Sequence, residues 1–177
     1  MPRCVSYWLV PSVGTRVFFQ DLIETLAHSH QAPTFVPHVT IYSGDSSATE
    51  NPVSIICESM QGVREVRLQI DSIMFSELFT KTLFVQFHQS EILTRINADI
   101  RRLSTRQSGY KLNPHLSLLY KHMPAREKEK LSSSLRLPMS EVSFDAVWAI
   151  ASPGSPLQAE DIEGWQVICG KNFREMS

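Results

Sequence analysis

Two short stretches constrain this chain more than any other: Pro37-His38-Val39-Thr40-Ile41 and Pro114-His115-Leu116-Ser117-Leu118. Each reads proline, histidine, apolar residue, hydroxyl residue, apolar residue. On extended backbone, successive side chains point to opposite faces. His38 therefore shares a surface with Thr40, and His115 with Ser117, while Val39, Ile41, Leu116 and Leu118 face a core. Two such strands opposed across a groove bring two imidazoles and two hydroxyls to one site. A histidine followed two places on by serine or threonine is a weak signal alone. His88-Gln89-Ser90 is a third instance, but a polar residue separates its pair and its serine falls at a helix start. The other two copies share the proline and both apolar positions, a much rarer coincidence.

The bounds on the chain agree with a site of this kind. At 177 residues, 42% hydrophobic and 20% charged, it reads as one domain spanning 1–177. That length buries about two-thirds of the unfolded surface, so no covalent staples are needed. A net charge of −1 argues against a long nucleic-acid partner, but it leaves a small phosphorylated ligand open. No apolar run reaches membrane-spanning length, and Met1-Pro2-Arg3-Cys4 opens without a signal-peptide apolar region. A cytoplasmic monomer is expected. Cys4, Cys57 and Cys169 are widely spaced, with no Cys-x-x-Cys. Neither a disulfide framework nor a zinc site follows, and pairing of Cys57 with Cys169 stays open.

Along the chain, strands are predicted at Ser6–Pro11, Phe35–Ser43, Val63–Phe75, Thr82–His88, Pro114–Tyr120, Val142–Ala151 and Gly164–Cys169. Gly44-Asp45 is read as the end of the second of these. Helices are predicted at Thr15–His30, Pro52–Met60, Ser90–Gln107 and Pro124–Leu135. The third is the clearest, with Ile92, Leu93, Ile96, Ile100 and Leu103 on one face and Ser90 as cap. Asp45–Asn51 and Pro153–Pro156 read as loop and turn. Each half carries a long helix followed by a Pro-His strand, and His38 and His115 are 77 residues apart. That order predicts an α+β fold with two pseudo-symmetric lobes of antiparallel sheet plus helices around a central groove.

The chain resembles the 2H phosphoesterase superfamily, whose mark is a pair of His-x-Thr/Ser motifs. Within it the cyclic phosphodiesterase type, acting on ADP-ribose 1″,2″-cyclic phosphate and nucleoside 2′,3′-cyclic phosphates, is the most similar. The stretches carrying the resemblance are Ser6–Pro11, Phe35–Thr40, Pro114–Tyr120 and Ile162–Val167. Asp45–Gln89 matches only in outline. The resemblance implies His38, His115, Thr40 and Ser117 as catalytic residues, with Trp8 and Tyr120 near the ligand. Tyr42 falls on the His38 face by alternation and joins the substrate-lining set. Tyr120 lies five residues after His115, so alternation puts it on the wrong face unless the strand ends or bulges near Leu119.

The residue types suit the chemistry. Opening a cyclic phosphodiester takes a base for water and an acid for the leaving oxygen, and histidine serves both near neutral pH. Thr40 and Ser117 would donate to the non-bridging oxygens. The expected pH profile is a bell near neutrality. No metal and no cofactor is expected, because two-histidine metal sites usually recruit carboxylates and none lies close to either motif. Two other classes remain: a 2H enzyme acting on RNA ends or 2′,5′ linkages, and a non-catalytic cyclic-nucleotide-binding relative.

Overall fold

In a computed structural model of the chain, the predicted apolar faces meet one another. The structure describes residues 3–106, 108–153 and 158–176. The strands are β1 (Arg3–Pro11), β2 (Val39–Ser46), β3 (Val66–Phe75), β4 (Leu83–Phe87), β5 (His115–Leu119), β6 (Glu141–Ser152) and β7 (Gln166–Asn172). The helices are α1 (Val13–His30), α2 (Pro52–Ser59), α3 (Glu91–Leu103), α4 (Ala125–Ser134) and a short α5 (Ala159–Glu163). The α3 stripe Leu93, Ile96 and Ile100 is fully buried, and Ser90 Oγ accepts from the Leu93 N–H to cap the helix. On α2, Pro52 sits in the first turn and the Asn51 side chain accepts from the N–H groups of Val53 and Ser54.

Several boundaries differ from the sequence reading, β7 among them, which runs Gln166–Asn172 and not Gly164–Cys169. β2 starts at Val39, not Phe35, and runs through Gly44-Asp45 to Ser46 because that segment pairs with Arg3–Val5 of β1. Glycine fits there because a Cβ on Gly44 would lie 3.0 Å from Ser108 Cβ and 3.1 Å from the Tyr42 hydroxyl. α3 ends at Leu103, where Ser104 turns extended. α5 was not anticipated: it is five residues long, closed by a capping box between Gln158 and Asp161, and too short to show a helical period. The predicted turn at Pro153–Pro156 lies outside the described residues beyond Pro153.

All strand pairings are antiparallel, in the order β1-β2-β5-β4-β3-β6-β7, with β1 also paired to β6. The ladder thus returns on itself. Phe144 of β6 lies opposite Pro11 of β1 on one side and Val66 of β3 on the other. It divides into β1, β2, β6 and β7, and β3, β4 and β5. The two groups touch through β3–β6 and through one residue pair between the motif strands, Val39 opposite Leu116. The long helices are exchanged between the groups: α1 packs against β5, and α3 packs against β2.

Both motif strands carry a β-bulge at the same place. Tyr7 opposes Tyr42 and Trp8 opposes Thr40, which leaves Ile41 as an extra residue in β2. Leu83 opposes Leu119 and Phe84 opposes Ser117, which leaves Leu118 extra in β5. In each strand the extra residue is the third after the histidine. The alternation therefore slips by one, and side chains beyond it exchange faces.

Candidate active site

Each motif proline has a local task. The residue before proline is held extended, which places the carbonyls of Val36 and Asn113 beside the histidines two residues on. His38 Nδ1 lies 2.6 Å from Val36 O, and His115 Nδ1 lies 2.7 Å from Asn113 O. A carbonyl oxygen only accepts, so Nδ1 carries the proton in both rings. Nε2 is left as the nitrogen that takes or gives a proton. Both imidazoles line one cavity of about 180 Å³, together with Thr40, Ser117, Trp8, Tyr120, Trp165 and Tyr110.

The two rings sit in different surroundings. His38 is buried and stacked on Trp8, with centroids 3.6 Å apart and planes 9° apart. The edges of Phe35 and Trp165 close around it at 6.4 and 6.0 Å. His115 is half-buried and meets the Phe84 ring edge-on at 5.5 Å. Burial pushes both imidazoles down from 6.5 to about 4. The carbonyl hydrogen bonds oppose that shift, His115 adds to it at His38, and the Lys81 ammonium adds to it at His115. These shifts favour the neutral form of both rings at pH 7.

The hydroxyls differ too. Ser117 Oγ donates to Thr80 O at 2.7 Å. Thr40 Oγ1 makes no hydrogen bond among the described residues, and its backbone carbonyl accepts from the Tyr110 hydroxyl at 2.8 Å. Elsewhere in the lining, Ser6 Oγ lies 2.8 Å and Cys4 Sγ 3.3 Å from Ser43 Oγ, and Ser152 joins them. No lysine or arginine is among the described lining residues. Among the described residues, no three His, Cys, Asp or Glu side chains gather to hold a metal ion.

Of the residues singled out from the sequence, His38, His115, Thr40, Ser117, Trp8 and Tyr120 all line this cavity, and Tyr42 does not. The bulge at Ile41 turns Tyr42 into the core, where it is 1% exposed and its hydroxyl accepts from the Ser108 N–H. The bulge at Leu118 brings Tyr120 to the cavity by the same slip, where it stacks on Phe35 at 3.8 Å. Ser43, the fifth residue after His38 as Tyr120 is after His115, also lines the cavity and was missed. Cys4 and Ser6 were missed as well, although they alternate with Trp8 on β1. The sequence reading puts Trp165 on a strand from Gly164, but it precedes β7, and Tyr110 comes from a loop with no period to follow. Cys4, Cys57 and Cys169 are all free thiols.

A profile of the cyclic phosphodiesterase-like protein family matches residues 1–169. A 2′,3′-cyclic-nucleotide 3′-phosphodiesterase of Phaeosphaeria nodorum is 26% identical over 150 residues, covering 76% of this chain and 78% of its own. A cyclic phosphodiesterase of Arabidopsis thaliana is 22% identical over 171 residues, covering 95% and 94%. Among solved structures, Escherichia coli LigT complexed with 3′-AMP superposes with a TM-score of 0.60 at 12% identity, over 97% of this chain and 98% of that one. A Thermus thermophilus protein, TT0787, superposes equally well at 14% identity, with the same coverage. The fold is that of these structures. With two His-x-Thr/Ser motifs on neighbouring strands and a family match over nearly its whole length, the chain belongs to the cyclic phosphodiesterase-like family of 2H phosphoesterases and is a phosphodiesterase.

Proposed function

We propose that this enzyme opens small cyclic phosphates, namely nucleoside 2′,3′-cyclic phosphates and ADP-ribose 1″,2″-cyclic phosphate, by paired-histidine acid–base catalysis without a metal. The observation that carries the reading is the cavity itself. It holds two imidazoles with Nδ1 tied to the backbone and Nε2 left over, each followed by a hydroxyl on the same surface. The names of the Phaeosphaeria and Arabidopsis relatives and the 3′-AMP complex of LigT agree with a small nucleotide ligand.

In the reaction, a neutral Nε2 takes a proton from water as the water oxygen attacks phosphorus. The bond from phosphorus to one ring oxygen breaks, and the protonated Nε2 of the other histidine hands its proton to that oxygen. Water is consumed, and a phosphomonoester with one free hydroxyl results. Thr40 and Ser117 donate to the non-bridging oxygens, where negative charge accumulates. An anionic phosphate between the rings favours their protonated forms, so the substrate itself supplies the conditions for one charged and one neutral imidazole. Trp8 holds the His38 ring flat against its own, and an aromatic face suits the imidazolium form. Trp8 and Tyr120 form the wall for the nucleoside.

The test is a panel of cyclic phosphates incubated with the enzyme in EDTA, with the products identified. Turnover that persists in EDTA supports the metal-free reading. Activity lost in EDTA and restored by one divalent ion overturns it. A folded protein that opens no cyclic phosphate but binds them points to the non-catalytic relative.

A further inference from the structure

The neutral lining of the cavity leaves open where a substrate carrying more than one phosphate would place its extra charge. A half-buried cation stands just outside. Lys81 ends a short 3₁₀ turn, Phe79–Lys81, and its Nζ lies 4.3 Å from the centre of the Phe84 ring. Phe84 opposes Ser117 across the strands, on the same face as the motif side chains, and its ring also touches His115. The Lys81 ammonium has no carboxylate and no hydrogen-bond acceptor among the described residues. Lys121 and Lys128, by contrast, donate to Gln31 O and Ser76 O.

The turn is firmly placed. Lys128, 2% exposed, donates to Ser76 O at 3.0 Å and pairs with Glu77 at 2.7 Å. Ser76 Oγ donates to Lys81 O, Thr82 Oγ1 donates to Lys121 O, and Ser117 Oγ donates to Thr80 O. The backbone of Lys81 is thus fixed beside the second motif, and its ammonium rests over the Phe84 ring.

The geometry points to Lys81 as the binding group for a second phosphate of the substrate, one that projects from the cavity while the cyclic phosphate lies between the histidines. The inference rests on the reading of the cavity as a cyclic-phosphate site. Lys81 does not line the cavity, so the anion it meets belongs to the part of the ligand outside. In nucleoside-type cyclic phosphates that part hangs on the 5′ oxygen. It is a 5′-phosphate, the pyrophosphate of an ADP-ribose, or the phosphodiester of a preceding nucleotide. The part of the lining formed by Cys4, Ser6, Ser43 and Ser152 holds no lysine or arginine, so preference for added charge arises on the Lys81 side.

Calorimetry with two product-like ligands, adenosine 2′-phosphate and adenosine 2′,5′-bisphosphate, tests this without turnover. The wild type should bind the bisphosphate about five- to tenfold more tightly, the size of one charge contact at about 4 Å in a watery setting. About 0.5 M salt should reduce that ratio, because such contacts are screened. In Lys81→Gln the ratio of the two affinities should fall to about one, and Lys81→Arg should keep it. A ratio that survives in Lys81→Gln overturns the inference, as does equal weakening of both ligands with the ratio intact. If the folded wild type binds neither ligand, the cyclic-phosphate reading falls and the inference falls with it. Monophosphate binding with no gain for the bisphosphate overturns the inference alone.

Discussion

At the scale of single residues, the near-symmetry of the motifs hides a division of labour among the hydroxyls. Replacing either His38 or His115 by alanine should lower kcat by at least about 10²-fold, the low end for a general acid or base. The fold should persist, since both rings face the cavity. Thr40 Oγ1 is uncommitted among the described residues, whereas Ser117 Oγ must leave Thr80 O before it can donate to a phosphate. Thr40→Ala should therefore cost about 10²-fold in kcat, as loss of an oxyanion donor does, and Ser117→Ala should cost less because its new bond replaces an existing one. Equal losses measured on one substrate would contradict that asymmetry.

On the proposed mechanism the histidines also set the pH response. Both free-enzyme values lie near 4, through burial first, then through His115 acting on His38 and Lys81 acting on His115. The singly protonated pair is then a minor form at pH 7. The kcat/KM bell should sit on the acid side of neutrality, and the kcat bell should lie alkaline of it, because bound phosphate favours the charged rings. The limbs belong to the coupled pair until single variants are titrated. Superimposable kcat and kcat/KM profiles would refute the argument.

At the scale of elements, the bulges decide which side chains reach the cavity. Ile41, the extra residue of β2, has its carbonyl satisfied by Asn97 Nδ2 of α3 at 2.7 Å. The helix packed on β2 thus secures the slip that sends Tyr42 inward and Ser43 to the cavity. Asn97→Ala should destabilise the protein by about 1–3 kcal/mol, the range for a buried acceptor left unpaired. It should also lower kcat, because Thr40 precedes the bulge directly. Thermal unfolding and steady-state kinetics on the same preparation check both parts; stability lost with kcat unchanged would separate the bulge from the site. A second support comes from Arg101 of α3, which donates to the carbonyls of Ser108 and Tyr110 and carries the loop that presents Tyr110 to Thr40 O.

At the scale of the molecule, the returning ladder brings both motifs to one cavity, and the burial of their rings there couples stability to pH. Both imidazoles titrate near 6.5 unfolded and about 4 folded. Between those values the unfolded chain binds more protons, so unfolding becomes easier as pH falls. Stability from this source is complete above about pH 6.5 and is lost progressively toward pH 4. His38→Asn, which keeps an N–H donor near the Nδ1 position without a titrating nitrogen, should flatten the acid limb of a denaturation midpoint plotted against pH. An unchanged limb would place the acid sensitivity in other groups.

The strand period placed His38, Thr40, His115 and Ser117 on shared faces before any tertiary information, because alternation is a property of extended backbone alone. The helical stripe of Leu93, Ile96 and Ile100 was readable for the same reason, and a family resemblance pointed to Trp8. Tyr42 and Tyr120 could not be placed by period, since each lies beyond a bulge, and a bulge depends on the register of a partner strand far away in sequence. The pairing of the motif strands through Val39 and Leu116, the packing of α1 on β5 and α3 on β2, and the meeting of Trp165, Tyr110 and Thr80 at one cavity are long-range events. No local pattern encodes them. The depressed imidazoles belong with these, because the sequence supplies the titrating group and only the packed structure removes its water.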